Sequence, residues 1–97
     1  MKEIWKFTRD IQDPFDNQRM HVEMPKGARA LSVGAQDFKL CIWAIVDPDF
    51  AEVETHTFVV VMTGVPVKLH ANMSFLGTVQ FHTAPMFVLH VFDEGVR

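Results

Sequence analysis

The chain has 97 residues, of which 48% are hydrophobic and 22% are charged, and its formal net charge is −3 at pH 7. These values predict one globular domain over residues 1–97 and exclude an intrinsically disordered chain. The nine basic residues are scattered and outnumbered by twelve acidic ones, so we predict no surface for an extended nucleic acid. The apolar runs are too short to span a bilayer, and we predict no membrane segment.

Alternation of apolar and polar residues predicts strands along most of the chain. The first lies around Trp5 and Phe7, and in the second Met20, Val22 and Met24 alternate with polar residues. The remaining strands are predicted at residues 28–36, 40–47, 55–63, 75–82 and 86–92, with turns at 10–17 and 83–85 and a polar tail at 93–97.

This pattern predicts an all-β fold, a small antiparallel sandwich or partly open barrel of about seven strands. Residues 40–47 are apolar on both faces, which is typical of a central strand. Residues 67–73 are predicted as a loop or one short helical turn. Gly34, inside the third predicted strand, indicates a bulge or a close approach to the backbone.

No catalytic residue, cofactor or metal site is predicted. The five histidines have no metal-binding spacing, and neither a nucleophile-elbow serine nor a glycine-rich phosphate loop occurs. Cys41 is the single cysteine, so no intrachain disulfide can form and a reducing, cytoplasmic compartment is favoured. Because its strand should be buried, we interpret the thiol as structural.

An acidic stretch follows the central strand. Asp47 and Asp49 flank Pro48, and Glu52 and Glu54 come shortly after. The two aspartates could share a cation or form an acid–base pair, but aspartates beside a proline also form turns. The stretch is predicted as a solvated loop or, with Phe50, as a docking surface for a basic partner protein. Other aromatic residues near strand ends could form an apolar rim for partner binding or self-association, namely Phe38, Phe75, Phe81 and Phe92.

Seven short fragments, taken in their order along the chain, form a pattern: Ile4-Trp5-Lys6, Met24-Pro25-Lys26-Gly27-Ala28, Leu31-Ser32-Val33, Cys41-Ile42-Trp43-Ala44-Ile45-Val46-Asp47-Pro48, Thr63-Gly64-Val65-Pro66, Gly77-Thr78-Val79-Gln80 and His90-Val91-Phe92-Asp93. Together they resemble a family of small, uncharacterised phage-encoded proteins. Val65 departs from that pattern, which often has a histidine before the turn proline. The resemblance implies an accessory protein in the cytoplasm of a bacterial host, but it implies no particular activity.

Four functions are compatible with these features. The first is a non-enzymatic inhibitor that binds a host factor through the acidic stretch, for example in counter-defence. The second is a homo-oligomeric sponge for a small nucleotide-like signal, whose phosphate would contact basic residues chosen from Lys6, Arg19, Arg29 and Lys68. The third is a metal-dependent hydrolase built on Asp47, Asp49 and a histidine. The fourth is a minor structural component of a virion.

Overall fold

The computed structural model describes residues 1–11, 18–82 and 86–96. In these residues the protein is all-β, with seven antiparallel strands and no helix, which confirms the predicted fold class. The strands are β1 (Glu3–Asp10), β2 (Gln18–Pro25), β3 (Arg29–Gln36), β4 (Lys39–Val46), β5 (Val53–Met62), β6 (Ser74–Phe81) and β7 (Phe87–Val96).

The strands form two sheets that pack face to face as a sandwich and do not close into a barrel. Sheet A has the order β1-β4-β3, and sheet B has the order β2-β5-β7-β6. The two sheets also meet where β3 approaches β6, since a Cβ atom added to Gly77 would lie 2.8 Å from Cγ2 of Val33. This contact leaves no room for a side chain on Gly77.

Strand β4 is the centre of sheet A, as its two apolar faces predict. Its inward residues are buried in the shared core: Leu40, Ile42, Ala44 and Val46. On the outer face Cys41 is buried and Trp43 is half-buried. The indole lies against Gly34, whose added Cβ would come within 2.9 Å of Trp43 Cζ3. The close approach predicted at Gly34 is therefore confirmed.

The core between the sheets follows the predicted alternation. In β2, Met20, Val22 and Met24 are buried and the intervening residues are exposed. In β5, Phe58 is fully buried, and among the described residues no larger side chain is fully buried. Because burial of apolar area is the main favourable contribution to folding, the buried apolar residues in the middle of β5 contribute strongly to the stability of the sandwich.

One local prediction is wrong, and it concerns sheet B. The polar tail at 93–97 is not a tail, because β7 continues through Val96, with a register shift where Phe58 pairs with Asp93 and Thr57 pairs with Gly95. Of the two alternatives for residues 67–73, the structure shows the loop, which contains a hydrogen bond from Met73 N–H to the His70 carbonyl. The predicted turns at 10–17 and 83–85 lie wholly or mostly outside the described residues.

Candidate functional site

The acidic stretch forms an ordered loop between β4 and β5. The Asp47 side chain accepts a hydrogen bond from the Asp49 N–H at 3.1 Å, and its carbonyl accepts one from the Phe50 N–H at 3.2 Å. These are the contacts of an aspartate that shapes its own turn. Of the two roles left open for Asp47, the structure therefore shows turn formation.

The glutamates fix this loop to the turn that follows β2. Lys26 N–H donates to the Glu52 carbonyl at 2.9 Å, and its Nζ lies 3.4 Å from the Glu52 carboxylate. The Gly27 N–H donates to Glu54 Oε2 at 3.5 Å. These contacts and the Asp47 turn fix the path of the loop backbone between β4 and β5.

Two apolar side chains remain exposed among these acids. Phe50 is 53% exposed and Val53 is 61% exposed. Asp49 and Glu52, which adjoin these two residues in the sequence, are also exposed. We call residues 47–54 the acidic docking surface, which combines an aromatic and an aliphatic group with surrounding carboxylates.

The structure separates the four basic residues predicted as phosphate ligands. Lys6 and Arg29 pair with Trp43 and Ile45 on the outer face of sheet A. Lys6 Nζ donates across the central strand to Gln36 Oε1 at 2.9 Å. Arg19 lies in β2 and Lys68 in the β5–β6 loop, both belonging to the side of sheet B. Within one chain these residues form no common basic site.

Arg19 belongs to a polar cluster that the sequence did not indicate. Its guanidinium donates to both carboxylate oxygens of Glu94, at 3.2 and 2.7 Å, and His70 Nε2 lies 2.9 Å from Glu94 Oε2. The Glu94 side chain is only 6% exposed, and the paired guanidinium and imidazole lower its pKa to about 2. The cluster ties the β5–β6 loop to the outer face of sheet B.

A cavity of about 190 Å³ lies at this cluster, lined by Arg19, His70, Asn72, Glu94 and Val96. Because Glu94 already neutralises Arg19, the cavity presents no net positive charge from this pair to a phosphate group.

Glu94 lies in the segment predicted as a polar tail, and its partner Arg19 is 75 residues away. Local patterning carries no signal for such a pair.

Replacing Glu94 with glutamine is expected to weaken the acid dependence of stability. The ordinary pKa of this carboxyl, 4.5, falls to about 2 in the folded protein, so the ion pair stabilises the fold fully above about pH 4.5. This contribution is lost as the pH falls towards 2. In thermal unfolding, the wild-type Tm should fall more steeply through this window than that of Glu94→Gln. Glu23→Gln, at an exposed carboxylate of β2, is the control, and parallel curves for wild type and Glu94→Gln would contradict this role.

A larger cavity, of about 310 Å³, lies at the tip of the β3–β4 hairpin. It is lined by Ala35, Asp37, Phe38, Gln80, Phe81 and His82. Phe38 is 74% exposed, and both Asp37 and Phe38 have positive φ angles, 51° and 63°. The sequence predicts Phe38 as part of an apolar rim. It does not predict the cavity, because the cavity forms where strands of two different sheets meet.

The histidines make separate local contacts. His90 lies between the hydroxyls of Thr63 and Thr78, at 2.7 and 3.1 Å, and His21 Nδ1 lies 3.1 Å from Thr57 Oγ1. His56 is buried, and its Nε2 has no hydrogen-bond partner in the part of the chain that the structure describes.

Among the described residues, no three histidine, cysteine or acidic side chains are placed to hold one metal ion. The cluster that the hydrolase interpretation requires is not found there.

A comparison with protein families finds one match over residues 1–97, to a family described as a domain of unknown function, DUF7352. No curated protein and no solved structure matches the chain. Among the described residues there is no helix with the length and apolar character needed to cross a membrane.

Proposed function

The protein belongs to the DUF7352 family, and from its surface we propose that it is a non-enzymatic protein that binds and inhibits a partner protein through the acidic docking surface. The resemblance to phage-encoded proteins supports a role as a phage accessory protein, with the partner being a host factor in the bacterial cytoplasm. The observation that carries the proposal is the exposure of Phe50 and Val53 beside Asp49 and Glu52 on an anchored loop.

The chemistry of this surface fits a protein interface better than a solvated loop. Buried interface centres are enriched in aromatic residues, whereas charges collect at the rim. Phe50 supplies an aromatic anchor, and Asp49 and Glu52 supply a rim of negative charge. The Asp47 turn and the Lys26 contacts hold the loop before binding, which reduces the entropy lost on association. The complementary partner has an apolar pocket surrounded by basic residues.

Binding to a host protein should depend on Phe50. We expect the tagged protein to capture one host protein in stoichiometric amount, and Phe50→Asp to weaken that complex by about 30-fold or more, as for a central aromatic anchor. Affinity would be measured with the purified partner by calorimetry. Raising the salt concentration should mainly slow association, because the acidic rim acts through long-range attraction.

The matched control is Phe75→Asp. Phe75 is 61% exposed but lies in β6, on sheet B, away from the acidic docking surface. We expect this variant to bind as the wild type does. Equal binding by the wild type and Phe50→Asp, or equal losses in the two variants, would refute the proposed surface.

A further inference from the structure

The tip of the β3–β4 hairpin holds an aromatic residue in an unfavourable backbone conformation. The connection between Gln36 and Lys39 has only two residues, Asp37 and Phe38, both with positive φ. Turns of this type favour Asn or Asp first and glycine second. Asp37 fits the first position, but Phe38 occupies the place of the glycine. Strained residues of this kind collect at ligand sites, and here the strain holds an exposed aromatic ring at the rim of a cavity.

The cavity beside this ring is large enough for a small ligand. Its volume of about 310 Å³ lies at the lower end of the range for small-molecule sites, about 300–1,000 Å³. One wall is Phe81, which is buried and stacks on Phe87 with ring centroids 4.8 Å apart. Phe38 stands at the open side. A planar group that enters would therefore meet the exposed ring of Phe38.

The polar side chains that line the cavity favour a positively charged ligand. Asp37 supplies a carboxylate, Gln80 an amide and His82 an imidazole, and no lysine or arginine is among the described lining residues. No hydrogen bond or ion pair joins the Asp37 carboxylate to the described part of the chain. A carboxylate beside aromatic rings matches a planar cation that stacks and donates hydrogen bonds at its edge. We propose that this cavity binds a guanidinium group.

This site is separate from the acidic docking surface. The hairpin tip precedes β4 and the acidic loop follows it, so the two lie at opposite ends of one strand, about 26 Å apart for eight residues. The failure of either proposal leaves the other standing. The guanidinium could belong to an arginine in another protein or to a free small molecule, and the two sources can be distinguished by experiment.

The test is a titration of the ¹⁵N-labelled protein with N-acetyl-L-arginine amide, followed by amide chemical shifts. The uncharged isostere N-acetyl-L-citrulline amide is the matched ligand control. We expect saturable shifts around residues 35–38 and 80–82 with arginine and none with citrulline. Asp37→Asn should weaken binding by about tenfold or more, since it removes a charge-assisted contact. Asparagine also suits the turn, so this variant should stay folded.

Glu23→Gln provides the control protein, because it removes an exposed carboxylate in β2, outside both proposed sites. Shifts spread over all acidic regions, equal binding of citrulline, or unchanged binding by Asp37→Asn would overturn the proposal. Agmatine and a blocked Gly-Arg-Gly peptide identify the source. Tighter binding of the peptide assigns the site to an arginine of a protein, and tighter binding of agmatine assigns it to a small molecule.

Discussion

Replacing Phe58 with alanine is expected to lower the free energy of unfolding by about 3–5 kcal/mol, the usual range for removing a buried phenylalanine. The side chain is fully buried in a strand that lies between β2 and β7. Its register partners are Met20 and Asp93. The strands around it are fixed by hydrogen bonds, so we expect the vacated volume to remain largely as a cavity.

A loss of this size is a large share of the stability of a small domain, about 5–15 kcal/mol. It should lower the Tm by more than about 12 °C, since each kcal/mol corresponds to about 4–8 °C at this size. Denaturant unfolding followed by circular dichroism would measure the change. Phe75→Ala is the control on the same sheet, because the Phe75 ring is exposed. Among the aromatic pairs of the described residues it contacts Phe92 alone. Similar losses in the two variants would contradict the placement of the core.

Much of the fold could be predicted because period-2 patterning reports which face of a strand is buried. In β2, Met20, Val22 and Met24 alternate with exposed residues, and the structure buries those three. The apolar run in β4 predicted a central strand, and β4 is central. Each of these inferences depends only on neighbouring residues, which is why the sequence alone was sufficient.

The end of β7 could not be predicted in the same way. Residues 93–96 look like a polar tail, yet they extend the strand by pairing with β5, and the Glu94 side chain contacts Arg19 and His70. His70, in the loop at residues 67–73, contacts Glu94 across sheet B, and for this segment the sequence pattern is compatible with either a loop or a helical turn. Such pairs join distant parts of the chain, so the local pattern of apolar and polar residues does not predict them.

The two proposed sites differ in the same respect. The residues of the acidic docking surface lie close together in the sequence, and their composition predicted it: Asp47, Asp49, Phe50, Glu52 and Glu54. The guanidinium cavity combines residues of the β3–β4 hairpin with residues at the end of β6. A short turn at Asp37 could be expected from the sequence. The positive φ angles belong to this two-residue turn, but its position beside Gln80 and His82 depends on how the two sheets pack.

Replacing Phe38 with glycine is expected to stabilise the fold and to abolish guanidinium binding. A non-glycine residue in the left-handed region is unfavourable by about 1–2 kcal/mol, and Phe38 has a φ of 63°. Glycine removes that penalty but increases the entropy of the unfolded chain, which offsets part of the gain. Because the ring is 74% exposed, little buried area is lost. We expect a net gain of about 1 kcal/mol, or a Tm increase of about 4–8 °C.

The combination of the two effects is what makes this variant informative. If Phe38 were present only to shape the hairpin, glycine would serve better, and the protein would lose nothing by the exchange. If the ring forms the open wall of the guanidinium site, the more stable variant loses its response to N-acetyl-L-arginine amide. Thermal unfolding and the amide-shift titration, done on the same sample, separate these cases. A stabilised Phe38→Gly protein that still binds the arginine derivative would show that the strain at this turn has no part in ligand binding.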